Sequence, residues 1–125
     1  MPLIGVDLVE IRRIAESSKR DSFLKRIYTE NELLLLQGVS DSRRLELLAG
    51  RFAAKEAVSK ALGTGIAEQI SFRDIETLHG SGGEPIVLLY GAAKQRADLL
   101  GVTDVKVSIS HTAELAIAYI WMETA

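Results

Sequence analysis

The chain has 125 residues, 47% hydrophobic and 26% charged, a size and balance that suit one domain with one core, residues 1–125. Its formal net charge of −2 gives no overall signal for nucleic acid, and the absence of cysteine excludes a disulfide framework, a thiol nucleophile and a Cys-ligated zinc site. No basic-then-apolar leader opens the sequence and no apolar run approaches the ~20 residues of a membrane span, so the expectation is a cytoplasmic protein.

Leu3 to Val9 is a short apolar run with β-branched residues and predicts a strand, with Leu3, Gly5, Asp7 and Val9 on one face and Ile4, Val6 and Leu8 on the other. Glu10 to Ser18 predicts a helix with Ile11 and Ile14 inward. Asp21 or Ser22 is placed to cap a second short helix. Thr29 and Glu32 match a capping box for a helix through Leu33–Leu36 that ends near Gly38. Ser40-Asp41-Ser42 can cap a long helix from about Arg43 to Leu62, closed by Gly63. Gly50, inside that helix, points to close packing.

The second half reads as strands. Ser71–Leu78 and Pro85–Tyr90 flank a Gly-rich hairpin loop, and Gly91–Leu100 is a short amphipathic helix closed by Gly101. Val105–His111 alternates, so one face is covered. Leu115–Met122 is apolar on both faces and predicts a central strand. The class expected is α+β, with helices packed on one antiparallel sheet.

Four segments carry candidate chemistry. Asp7 lies in the middle of an apolar strand, where an ionised carboxylate needs a partner, a metal or a helix N-terminus to cap. Arg51 to Gly65 reads RFAAKEAVSKALGTG and puts Glu56, Lys60 and Gly63 on one helical face. That face is either an exposed ion pair or a carboxylate and an ammonium set beside a phosphate-tolerant turn. His111, at a strand end beside Thr112, suits phosphate binding or proton transfer, and equally a plain surface histidine. Two carboxylates without cysteine favour a hard cation, Mg²⁺, bound jointly with substrate phosphates. Between Glu10 and Arg26, six basic side chains stand against three acidic ones, either a solvated helix face or a surface for an acidic partner.

GVDLVEIRR (Gly5 to Arg13), RFAAKEAVSKALGTG and VSISHT (Val107 to Thr112) occur in this order and spacing over nearly the whole chain. Together they resemble the 4′-phosphopantetheinyl transferase superfamily, in particular its short, single-domain branch. The resemblance implies that fold, and transfer of 4′-phosphopantetheine from coenzyme A to a serine of apo-acyl carrier protein, with adenosine 3′,5′-bisphosphate as the other product and a role in fatty acid biosynthesis. It implies Asp7 and Glu56 as Mg²⁺ ligands, Lys60 on the pyrophosphate, and Glu56, directly or through a water, as the best candidate to take the serine proton. It further implies Arg51, Gly63, His111 and Thr112 along coenzyme A, with His111 and Thr112 at the nucleotide end and its 3′-phosphate. The acidic carrier protein would dock on the helix after the first strand, at Arg13, with Arg20, Lys25 and Arg26 close behind. The assembly expected is a homotrimer with active sites between subunits, with neither nucleic acid nor membrane as partner. Glu84 departs from the pattern, because many relatives carry lysine there. Two competing readings are a coenzyme A-binding module without turnover and a small oligomeric scaffold.

Overall fold

Leu3–Glu10 forms strand β1, and its alternation holds. Gly5 and Val9 are buried and Asp7 is half-buried, while Ile4, Val6 and Leu8 are exposed. The computed structural model describes residues 1–66 and 70–125. After β1 come helices α1 (Ile11–Ser17), α2 (Asp21–Ile27), α3 (Glu30–Leu34) and α4 (Asp41–Ala61). A 3₁₀ turn (Phe72–Asp74), strands β2 (Ile75–His79) and β3 (Pro85–Leu89), helix α5 (Gly91–Leu99), and strands β4 (Val102–His111) and β5 (Leu115–Thr124) complete the chain.

The helix signals hold at most ends. The Thr29 hydroxyl accepts the Glu32 amide at 3.1 Å, and the Glu32 carboxylate accepts the Thr29 amide at 3.0 Å. Ser40 caps α4 through the Arg43 amide at 3.2 Å. Gly63 follows α4 at φ 80°, the left-handed turn that glycine adopts without a Cβ clash. The expected cap of α2 is corrected. Arg20 holds the N-cap position without a side-chain bond, and Asp21 is the first helical residue, paired with Lys25 at 3.0 Å. The expected strand from Ser71 begins only at Ile75, because the Asp74 carboxylate takes the Ser71 amide at 3.2 Å and closes a 3₁₀ turn first.

The α+β class stands, but the single sheet divides into two. One is antiparallel in the order β1-β5-β4, with β5 central as its two apolar faces imply; the other is the β2-β3 hairpin. A groove runs between Ile86–Tyr90 and Val102–Val105, where β3 and β4 pass without a shared backbone ladder.

Helix α4 lies across one face of the larger sheet, on a row of small residues. Ala49, Ala53, Ala54 and Ala57 are fully buried. The approach is tight at Gly5, where a Cβ would fall 2.0 Å from the Ala57 carbonyl oxygen. Gly50 is packed as its position implies, since a Cβ there would meet Ile109 at 2.9 Å. Such contacts need glycine on one side, and they bring the α4 backbone within side-chain reach of Asp7. The opposite sheet face carries Ile4, Val6, Leu8, Ile117, Tyr119 and Trp121, all 38–57% exposed. No described helix is long and apolar enough to cross a membrane.

Candidate active site

Asp7 and Lys60 meet because β1 and α4 touch at Gly5. The Lys60 ammonium donates to the Asp7 carboxylate at 2.9 Å and to the Val6 carbonyl at 3.2 Å. Asp7 therefore does not cap α1; Glu10 occupies that position, without a side-chain bond. Lys60 likewise reaches across to β1 for its ion pair rather than back along its own helix.

Glu56 completes the cluster one turn earlier on α4. Burial raises the pKa of its carboxyl, the Asp7 charge raises it further, and Lys60 acts in the opposite direction. The pKa of Lys60 is raised in turn, first by its hydrogen bond to Asp7. Two carboxylates thus press on one another with one half-exposed lysine offsetting their charge. A divalent cation relieves the same repulsion more strongly. Among the described residues no third His, Cys, Asp or Glu joins them. Two protein carboxylates, with the remaining positions left for phosphate oxygens and water, suit Mg²⁺.

The Gly63 turn contributes space rather than donors. The amides of Gly63, Thr64 and Gly65 are spent on the carbonyls of Lys60 and Ser59, at 3.0–3.1 Å. Arg96 caps this end of α4 through the Leu62 carbonyl at 3.0 Å, and a Cβ on Gly63 would meet its guanidinium at 3.6 Å. A phosphate here would meet the cations of Lys60 and Arg96, not a cradle of N–H groups.

His111 lies elsewhere. It ends β4 on the α4 side of the sheet, its Nε2 3.5 Å from the Glu46 carboxylate. Glu46 precedes Glu56 by ten positions on α4, about 15 Å at the helical rise. Around it a cleft is lined by Arg43, Glu46, Arg51, His79 and His111. Arg51 is buried, donates through Nε to the Thr77 carbonyl at 3.2 Å, and leaves its Nη2 without a partner among the described residues. Thr112 orders the β4–β5 turn, its hydroxyl accepting the amides of Glu114 and Leu115 at 3.2 and 3.0 Å. One chain thus holds a carboxylate cluster near one end of α4 and a basic cleft near the other.

Arg13, Arg20, Lys25 and Arg26 are all exposed on α1, α2 and the turn between them. Lys25 is engaged with Asp21.

Sequence reasoning missed a buried charge network behind the site. Lys55, adjacent to Glu56, is fully buried; it pairs with Glu32 at 2.7 Å and donates to the carbonyls of Phe72 and Ile75. Glu32 also accepts the Thr77 amide at 2.9 Å, and Glu76 accepts the Tyr90 hydroxyl at 3.0 Å. The signal available was a lysine among the alanines of an apolar helix face. Glu46 was also missed, and the signal there was its spacing of three from Arg43 on one helix face.

The family model described as "4′-phosphopantetheinyl transferase superfamily" matches residues 3–120. The chain is 46% identical over 121 residues to the holo-[acyl-carrier-protein] synthase of Bacillus velezensis, covering 96% of this chain and 93% of that one. It is similar to the crystal structure of a Bacillus anthracis holo-(acyl-carrier-protein) synthase in complex with CoA (3′,5′-ADP), at 41% identity and TM-score 0.83 over 98% of this chain and 96% of that one. An ACPS–CoA complex from Chronobacterium ammoniagenes matches at 30% identity and TM-score 0.86, covering 100% and 98%. The chain belongs to the 4′-phosphopantetheinyl transferase superfamily, in the short, single-domain branch of these synthases.

Proposed function

We propose that this chain is a holo-acyl-carrier-protein synthase that moves 4′-phosphopantetheine from coenzyme A to a serine of apo-acyl carrier protein, in the cytoplasm and in support of fatty acid biosynthesis. The observation that carries the reading is the convergence of Asp7, Glu56 and Lys60 where β1 and α4 touch. Asp7 and Glu56 would hold Mg²⁺, which when bound would draw charge from the diphosphate and stabilise the leaving phosphate. The serine oxygen attacks the phosphorus that carries the pantetheine arm. The bridging P–O bond breaks, and its electron pair leaves with the 5′-phosphate of adenosine 3′,5′-bisphosphate. Glu56, whose burial raises its proton affinity, takes the serine proton directly or through a water. Lys60 directs its ammonium to the diphosphate, and Gly63 leaves room for the arm to pass.

Arg51, His111 and Thr112 hold the nucleotide end. The ~15 Å of helical rise between Glu46, beside His111, and Glu56 supports a site shared between subunits. The exposed apolar sheet face, from Ile4 to Trp121, supports the homotrimer that would build it. Arg13, Arg20, Lys25 and Arg26 offer the acidic carrier protein a local basic surface on a chain of net charge −2.

The test is the intact mass of apo-acyl carrier protein after incubation with this protein, coenzyme A and Mg²⁺. A gain of one phosphopantetheine unit, lost with EDTA and with Asp7→Ala, is expected. No gain with carrier proteins from several sources would contradict the reading.

A further inference from the structure

Glu46 sits where an anion belongs. Its Oε1 lies 3.2 Å from Arg43 Nη1 and 3.5 Å from His111 Nε2, so one carboxylate oxygen faces both groups. Arg51 lines the same cleft, 4% exposed, with a buried Nη2 that has no partner among the described residues. The donors there exceed what one carboxylate can serve. A phosphate monoester offers three oxygens and up to two charges, and matches that surplus better.

Glu46 is also free to leave. Its side chain is 27% exposed, against 49% for Arg43 and 38% for His111, so it turns toward water without burying a charge. Arg43 and Glu46 stand three positions apart on α4 and Arg51 further along it, so the helix fixes all three backbones while Glu46 changes rotamer.

We propose that Glu46 is an internal stand-in for the ribose 3′-phosphate of the nucleotide. It occupies Arg43 and His111 in the free protein, and the incoming phosphate displaces it. The inference rests on the reading above that this cleft takes the nucleotide end of coenzyme A. Glu46 then competes with the 3′-phosphate for Arg43 and His111: it weakens binding of a nucleotide that carries this phosphate, which must displace it, and leaves a nucleotide without it unaffected.

The experiment is calorimetric titration of the full chain with adenosine 3′,5′-bisphosphate and, separately, with AMP, which lacks the 3′-phosphate. Glu46→Gln is expected to bind the bisphosphate about three- to tenfold more tightly than the unaltered chain, with AMP affinity unchanged. Glu46→Ala is expected to act in the same direction, which guards against a new contact made by the glutamine amide. Bisphosphate binding that is unchanged or weaker in both variants overturns the proposal and makes Glu46 a holder of Arg43 and His111. His111→Ala separates this failure from failure of the underlying reading. If the unaltered chain does not prefer the bisphosphate to AMP, and His111→Ala changes nothing, the nucleotide lies elsewhere and both ideas fall.

Discussion

Two lysine–carboxylate pairs on α4, five residues apart, serve opposite ends. Lys55 and Glu32 meet at 2.7 Å with both side chains at most 1% exposed, and the lysine's other hydrogens go to backbone carbonyls. Lys60 and Asp7 meet at 2.9 Å with the lysine half-exposed. Burial pushes the Lys55 pKa down while Glu32 pushes it back up, so this pair persists only as a pair. Water or an incoming ion can replace either partner of the outer pair. The inner pair fixes α4 against α3, the 3₁₀ turn and β2; the outer one leaves Asp7 exchangeable for chemistry. Adjacent positions, Lys55 and Glu56, therefore divide between scaffold and site.

The largest effect is expected at Lys55. Lys55→Met leaves Glu32 buried and unpaired, and is expected to cost about 3–5 kcal/mol in urea unfolding. A loss under about 1 kcal/mol would mean that the inner pair is not what holds the helix.

Next comes the contact that joins strand to helix. Gly5→Ala places a methyl 2.0 Å from the Ala57 carbonyl oxygen, so α4 must move away from β1. The expected cost is about 1–3 kcal/mol in stability, with turnover falling further than stability because Asp7 separates from Glu56 and Lys60. Stability and turnover both unchanged would show that the approach is not tight.

Lys60→Ala sharpens the contrast. Loss of this outer pair is expected to change stability by about 1 kcal/mol or less, yet to lower turnover by about 10²-fold. A thermal melt and a rate assay on the same sample check both halves, and a large drop in melting temperature would put Lys60 in the scaffold.

The smallest effect is in pH. The folded-state pKa of Glu56 is raised, so the folded protein holds that proton more tightly than the unfolded chain does. Its contribution to stability is present below the ordinary glutamate range and is lost as pH rises through the raised value. Activity has the opposite sign, because the ionised carboxylate is the working form. Without saturating Mg²⁺ the acid limb of the rate should lie above the ordinary glutamate range, and Mg²⁺ should draw it lower. A rate flat through the carboxylate range contradicts a working role for Glu56.

Local order was legible where a residue's neighbours in sequence determine it. The β1 alternation, the Thr29–Glu32 box, the Ser40 cap and the Gly63 turn all follow from nearest-neighbour rules. Spacing along α4 also put Glu56 and Lys60 on one face. Long-range pairing was not legible. Glu32 was readable as a cap residue, but its partners Lys55 and Thr77 lie 23 and 45 positions away. Alternation in β1 and β5 gave two apolar faces without saying which one α4 would cover. That His111 meets Glu46 rather than the carboxylate cluster was hidden for the same reason, since motif order carries no distance.

The most direct measurement is Glu56→Gln, read twice. Titration calorimetry gives its affinity for coenzyme A, and the intact mass of the carrier protein gives its rate of transfer. A site that uses Glu56 on the reacting proton predicts affinity within a few-fold of the unaltered chain and a rate lower by about 10²–10⁴-fold. A rate within about tenfold of the unaltered chain would contradict that role and leave Glu56 a bystander to the chemistry.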